Sequence, residues 1–306
     1  MESDLPLAET RAKQTTLLAV LWTVTLFVSI LPDIFFRELT GSAPSWLFWA
    51  KIGLLGLCIL LSFAWQAIRP IRLYFVVLLV LNLANWVIGL IQQVPQWQAW
   101  FSSTSFMVVL AETQILRFGV ALVMIATMLI LLRRRSAFFL VKGQLDAQAE
   151  PVRFLFDRPI SWRRFGLILS VAISLGTLTF LVIVGRPSLG SLLGALPLLP
   201  AVLFFAAMNA FSEEMSYRAA PLATLQAKVN KGQALLATAA YFGIWHYYGV
   251  PYGVIGVVMA GILGWLLGKS MLETRGFFWA WFIHFLQDVM IFSFLAIGAV
   301  AAGGGK

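Results

Sequence analysis

The sequence predicts an all-α fold, a polytopic membrane helical bundle of about eight or nine transmembrane helices. Three observations carry that prediction. Of 306 residues, 60% are hydrophobic and only 11% are charged, a balance that a water-soluble domain cannot bury. The apolar residues fall in runs of roughly 20, the length that crosses a bilayer core as a helix. The lysines and arginines cluster between those runs, as in the cytoplasmic loops of membrane proteins. That clustering accounts for the net charge of +9, and no nucleic-acid partner is expected.

In chain order, residues 1–14 form a polar tail. A first span over 15–36 ends at Pro32, Asp33, Arg37 and Glu38. Its apolar part is too long for a cleavable signal peptide, and no small-residue cleavage site follows. A second span, 45–67, carries Lys51 and the single cysteine, Cys58, so no intrachain disulfide can form. The third, 73–91, places Asn82 and Asn85 on one helical face. Residues 92–104 carry Trp97 and Trp100 and no charge, which suits an interfacial loop. The fourth span, 105–132, includes Glu112 and Arg117. The longest polar segment, 133–164, has eight Lys/Arg residues against Asp146, Glu150 and Asp157. A fifth span covers 165–184. The sixth begins near Leu189, where Pro197 and Pro200 predict a kink or a break. The seventh follows Gly232, the eighth covers 254–268 and the ninth 277–298. Placing 133–164 in the cytoplasm and alternating sides puts 17 Lys/Arg residues inside and three outside. This bias predicts nine helices, an N-terminus inside and a multi-pass protein of the plasma membrane.

Residues 211–218, FSEEMSYR, break the apolar pattern. A carboxylate within a spanning segment costs ~2.5–3.5 kcal/mol on insertion scales and marks a functional site by default. The chain has only two histidines, His246 and His284, and both fall in apolar spans. Histidine titrates near neutral pH and suits proton transfer. An i, i+4 spacing places His284 with Asp288 and Glu214 with Arg218. Glu213, about 100° round the helix, is then left for chemistry.

Turn arithmetic links the first two motifs. Glu213 lies 17 residues before Asn230, and His246 lies 14 after Gly232. At 1.5 Å per residue these are ~25 Å and ~21 Å along two antiparallel helices. If the sixth helix tolerates Pro221 and continues past Arg218 to about Ala227, Glu213 and His246 sit at nearly equal depth and can share a water. Taken singly, each motif also has a plainer reading: a snorkelling helix end, an interfacial aromatic belt, or an interhelical hydrogen bond. Glu112, Arg117, Lys51, Asn82 and Asn85 read as packing or snorkelling groups.

The ordered trio EExxxR (213–218), FxxxH (242–246) and HxxxD (284–288) resembles the CPBP family. This is the Abi or CAAX-protease-like group of intramembrane glutamic endopeptidases, which includes the type II CAAX prenyl proteases. The resemblance covers roughly residues 190–298. It divides the chain into the tail 1–14, membrane helices 15–184 without a catalytic motif, a CPBP-like core 185–298 and a tail 299–306. It implies that Glu213 is the base that activates a water, with His246 as its hydrogen-bonded partner. It implies that Glu214 orients the site, that Arg218 holds it, and that His284 stabilises the oxyanion. Asp288 stands where many members have Asn. An ionised Asp cannot donate to an oxyanion, so Asp288 is either protonated or orients the ring of His284.

The implied reaction is hydrolysis of a membrane-associated protein or peptide, lipidated or not, with the bilayer as the other partner and no cofactor or metal. A metal-dependent protease with Glu213, His246 and His284 as ligands ranks lower, because the HExxH spacing is absent. A non-catalytic scaffold or immunity-type protein that retains the site is a further reading. A transporter is another, against which stands the absence of an internal repeat.

Overall fold

A computed structural model describes residues 7–152 and 155–303 of the chain. Residues 1–6 and 304–306 of the expected tails lie outside that range, as does Arg153. Within it, the first helix begins earlier than hydropathy places it. α1 (Leu7–Val28) is followed by α2 (Leu31–Thr40), bent by 48° at the break between them. Pro32 sits in the first turn of α2, where its missing N–H has no intrahelical partner to lose. α3 (Trp46–Ala64) carries Lys51, which pairs with Asp33 of α2, so Lys51 ties two helices together.

α4 (Arg72–Ile91) and α6 (Phe106–Leu132) flank a short interfacial helix, α5 (Pro95–Trp100). The basic segment after α6 folds into a small antiparallel ribbon, β1 (Gln148–Ala149) with β2 (Ile160–Ser161). α7 (Trp162–Gly185) follows.

Residues 189–225 form one helical stretch whose winding changes four times. α8 (Leu189–Ala195) tightens into a 3₁₀ turn, Leu196–Leu198, and α9 (Leu199–Glu213) continues from it. Pro197 and Pro200 each occupy the start of a new segment, the break expected from them. α9 then widens into a π-helical turn, Glu214–Ala219, and closes as α10 (Ala220–Leu225). Pro221 is accommodated as the second residue of α10, directly after the widened turn. The helix therefore passes Arg218, as the depth argument requires, and stops at Leu225.

Asn230 caps α11 (Lys231–Ile244) by accepting from the backbone N–H of Gln233 at 2.8 Å. α12 (Val254–Thr274) and α13 (Phe278–Ala301) complete the bundle. Among the described residues, seven helices are long and apolar enough to cross a membrane, and the bent α1–α2 pair makes up to eight. The expected seventh span is α11, and it has only 14 residues. At ~21 Å it is shorter than a ~30 Å hydrocarbon core.

Lipid offers little hydrophobic drive for helix association, so close packing decides the arrangement. α11 meets α12 across Gly243, where an added Cβ would lie 2.6 Å from the Val257 carbonyl oxygen. α9 packs against both α6 and α13. Large apolar side chains on the outer faces of α3, α6 and α7 remain exposed, as lipid contacts should.

Candidate active site

Four helices deliver the site. α9 and its π turn bring Asn209, Glu213, Glu214 and Arg218. The turn after α11 brings His246, α13 brings His284 and Asp288, and α6 brings Arg117. The change of winding at Glu214 separates the two adjacent glutamates. Glu213 lines a cavity of about 430 Å³ together with Arg117, Tyr217 and His246. Glu214 is fully buried. A π turn inserts an extra residue into the helical repeat and so re-aims side chains, and such turns recur at functional sites.

Glu214 and Arg218 pair as the spacing requires, with Arg218 1% exposed and Glu214 not at all. Arg218 Nε also donates to the Gly264 carbonyl at 3.1 Å, and its guanidinium carbon lies 4.3 Å from the centre of the Phe242 ring. Gly264 leaves room for that guanidinium: an added Cβ would lie 3.2 Å from Arg218 Nη2. Glu214 Oε1 accepts a second hydrogen bond, from His284 Nδ1 at 2.7 Å. The imidazole of His284 is thereby fixed, with Nε2 turned toward Glu213 Oε2 at 3.8 Å and Asp288 Oδ1 at 3.6 Å.

His246 follows the last turn of α11, and its Nδ1 is 2.9 Å from the Phe242 carbonyl oxygen. A carbonyl only accepts, so Nδ1 carries the proton and Nε2 of the neutral ring is an acceptor. That atom lies 3.9 Å from Glu213 Oε2. The depth arithmetic is met: both imidazoles present Nε2 to the same carboxylate oxygen.

Two expectations change. Glu213 is not left unpaired, because Arg117 Nη1 donates to its Oε1 at 2.6 Å. The same nitrogen donates to Asn209 Oδ1 at 2.7 Å. Arg117 is therefore paired with Glu213 and Asn209 rather than a snorkelling group, and one of the helices of 15–184 packs its side chain against the motif residues. Asp288 is within hydrogen-bond distance of Asn209 rather than of the His284 ring, accepting from Asn209 Nδ2 at 2.9 Å. Asn209 Nδ2 also lies 3.3 Å from Glu213 Oε1. Its i−4 spacing to Glu213 was legible in the sequence. Arg117 carried no comparable signal, since nothing local names the helix it faces.

Of the remaining polar groups singled out in the sequence, Asn85 lines the same cavity. Asn85 accepts from the Tyr217 hydroxyl at 3.3 Å, and Asn82 bonds back to its own helix at Leu78. Glu112 accepts from Trp97 Nε1 at 2.9 Å, away from the histidines. Cys58 is buried. Among the described residues, no group of three or more His, Cys, Asp or Glu is placed to hold a metal ion.

Residues 195–290 match the family model described as type II CAAX prenyl endopeptidase Rce1-like. That region of the chain is CAAX-protease-like. The match takes in all three motifs and agrees with the CPBP resemblance that they carry. No curated protein and no solved structure matches the chain. An Rce1-like region within a multi-pass helical bundle supports a CAAX-protease-like membrane endopeptidase acting on a membrane-associated substrate. Arg117 lies outside the Rce1-like region, on a helix from the other half of the chain.

Proposed function

We propose that the chain hydrolyses a peptide bond with a water activated by Glu213. The observation that carries this reading is the approach of His246 Nε2, on the cavity wall, and His284 Nε2, buried behind it, to Glu213 Oε2 at 3.9 and 3.8 Å. A water held there donates one hydrogen to Glu213 and the other to His246. Glu213 takes the first proton as the water oxygen bonds to the scissile carbonyl carbon. With Nδ1–H held by Glu214, His284 donates from a protonated Nε2 to the developing oxyanion. Collapse breaks the C–N bond, and the proton on Glu213 passes to the leaving amine. Arg117 and Asn209 fix Oε1, so that Oε2 alone faces the water. Glu214, Arg218 and Asp288 act as positioning residues.

The membrane supplies the substrate. A second cavity of about 540 Å³, almost wholly apolar, lies between α4 and α6 and shares Ile88 and Leu116 with the first. A transmembrane or lipidated segment fits such a lining.

Glu213→Gln tests the reading. The variant keeps the hydrogen bond from Arg117 and cannot take a proton, so cleavage falls by about 10²–10⁴-fold, and uncut membrane proteins accumulate in cells. Glu112→Gln serves as the control and stays active. A folded, inserted Glu213→Gln that cleaves at the normal rate refutes the mechanism.

A further inference from the structure

The two ends of the bundle differ in charge, and the candidate site communicates with one of them. The ribbon between α6 and α7, the α10–α11 turn and the α12–α13 turn are bound together at one end. Gln226 Nε2 donates to the Ala137 carbonyl at 3.1 Å, and the Gln144 backbone N–H donates to the Thr274 carbonyl at 2.8 Å. Lys231 bridges Glu150 and Glu273 at 2.6 and 2.8 Å. The start of α1 and the α3–α4 connection join this end, where Lys13, Gln66 and Pro70 line a hollow with Lys228 and Asn230. Setting aside the buried Arg218 and Lys269, 14 of the described lysines and arginines lie here. The opposite end has Arg37 and Arg186 among the described residues.

The lining of the cavity runs from Glu213 to Gln92, just past α4, and to Tyr248 and Gly249 in the α11–α12 turn. Those positions belong to the charge-poor end, and no lining residue belongs to the basic one. The rim is tied to α2 there. The Arg37 guanidinium carbon sits 5.7 Å from the centre of the Tyr248 ring, and the Tyr252 hydroxyl donates to Glu38. Lysine and arginine bias of this size places the basic end in the cytoplasm.

We propose that the site opens to the non-cytoplasmic face, and that its substrate is a segment of a membrane protein just where it emerges on that face. The substrate clause rests on the endopeptidase reading; the access route does not. A tail lipidated in the cytoplasm would meet the closed end of the bundle.

Thiol labelling tests the route. Cys58 is replaced by Ala, and single cysteines are introduced as Gln92→Cys and Tyr248→Cys at the rim, Thr113→Cys on the cavity wall and Ser136→Cys beside the ribbon. If Cys58→Ala does not fold, the same substitutions go into the unaltered chain, where Cys58 is buried. A membrane-impermeant maleimide is applied to spheroplasts of a bacterial host that expresses the chain. Positions 92, 113 and 248 are expected to label in intact spheroplasts, and position 136 only after permeabilisation. The reverse pattern, or labelling at 113 only after permeabilisation, overturns the proposal. Full cleavage by Glu213→Gln would overturn the endopeptidase reading and leave the labelling result standing.

Discussion

Arg117 of α6 donates from one nitrogen to both Glu213 and Asn209 of α9, at 2.6 and 2.7 Å. It thereby joins the half of the chain without motifs to the half that carries all of them. Its side chain is 47% exposed to the cavity, so the pair is wetted and its contribution is geometric more than energetic. Arg117→Leu is expected to lower kcat for cleavage at least tenfold with little loss of folded protein. Arg117→Lys keeps the charge but not the planar fork and is expected to recover part of that loss. Cleavage assays beside thermal unfolding in detergent separate the two effects.

The buried pair of Glu214 and Arg218 predicts the opposite balance. Removing one partner of a buried ion pair typically costs about 3–5 kcal/mol, because the other charge is stranded. Arg218→Met is therefore expected to lower the unfolding temperature sharply. Arg218→Met combined with Glu214→Leu should regain stability without regaining cleavage, since His284 Nδ1 then has no carboxylate to hold it. A thermal-shift series on the three purified variants checks this.

The groove between α4 and α6 can be filled from Gly119, where an added Cβ meets no atom within 4 Å. Gly119→Trp is expected to raise KM for a membrane-embedded substrate roughly tenfold, the worth of about 1.5 kcal/mol of apolar contact. A short soluble peptide should be cut at an unchanged kcat. An unchanged KM for the embedded substrate would show that the groove is not used.

At the basic end, Lys231 holds the Glu150 carboxyl below its ordinary value of 4.5, chiefly by a direct hydrogen bond. A lowered folded pKa means that the attachment of the ribbon is at full strength above that ordinary value and weakens as pH falls through the lowered one. Limited proteolysis of segment 133–164 should accelerate on acidification in that window. Glu150→Gln should cleave more readily at neutral pH and lose the acid response.

The sequence by itself determined whatever depends on neighbours along one helix. The apolar runs set the spans, Asn230 set the start of α11, and the two prolines set the break before α9. The i, i+4 spacings set the pairing of Glu214 with Arg218 and the shared face of His284 and Asp288. The equal depth of Glu213 and His246 also followed, because rise per residue is fixed. Tertiary structure decided whatever depends on how helices rotate against one another. It gave Arg117 to Glu213, added Asn209 as the hydrogen-bond partner of Asp288, and opened the cavity toward Gln92 and Tyr248. In a bilayer those rotations follow from side-chain volumes across many contacts, such as Gly243 against the Val257 carbonyl oxygen, and no short stretch of sequence encodes them.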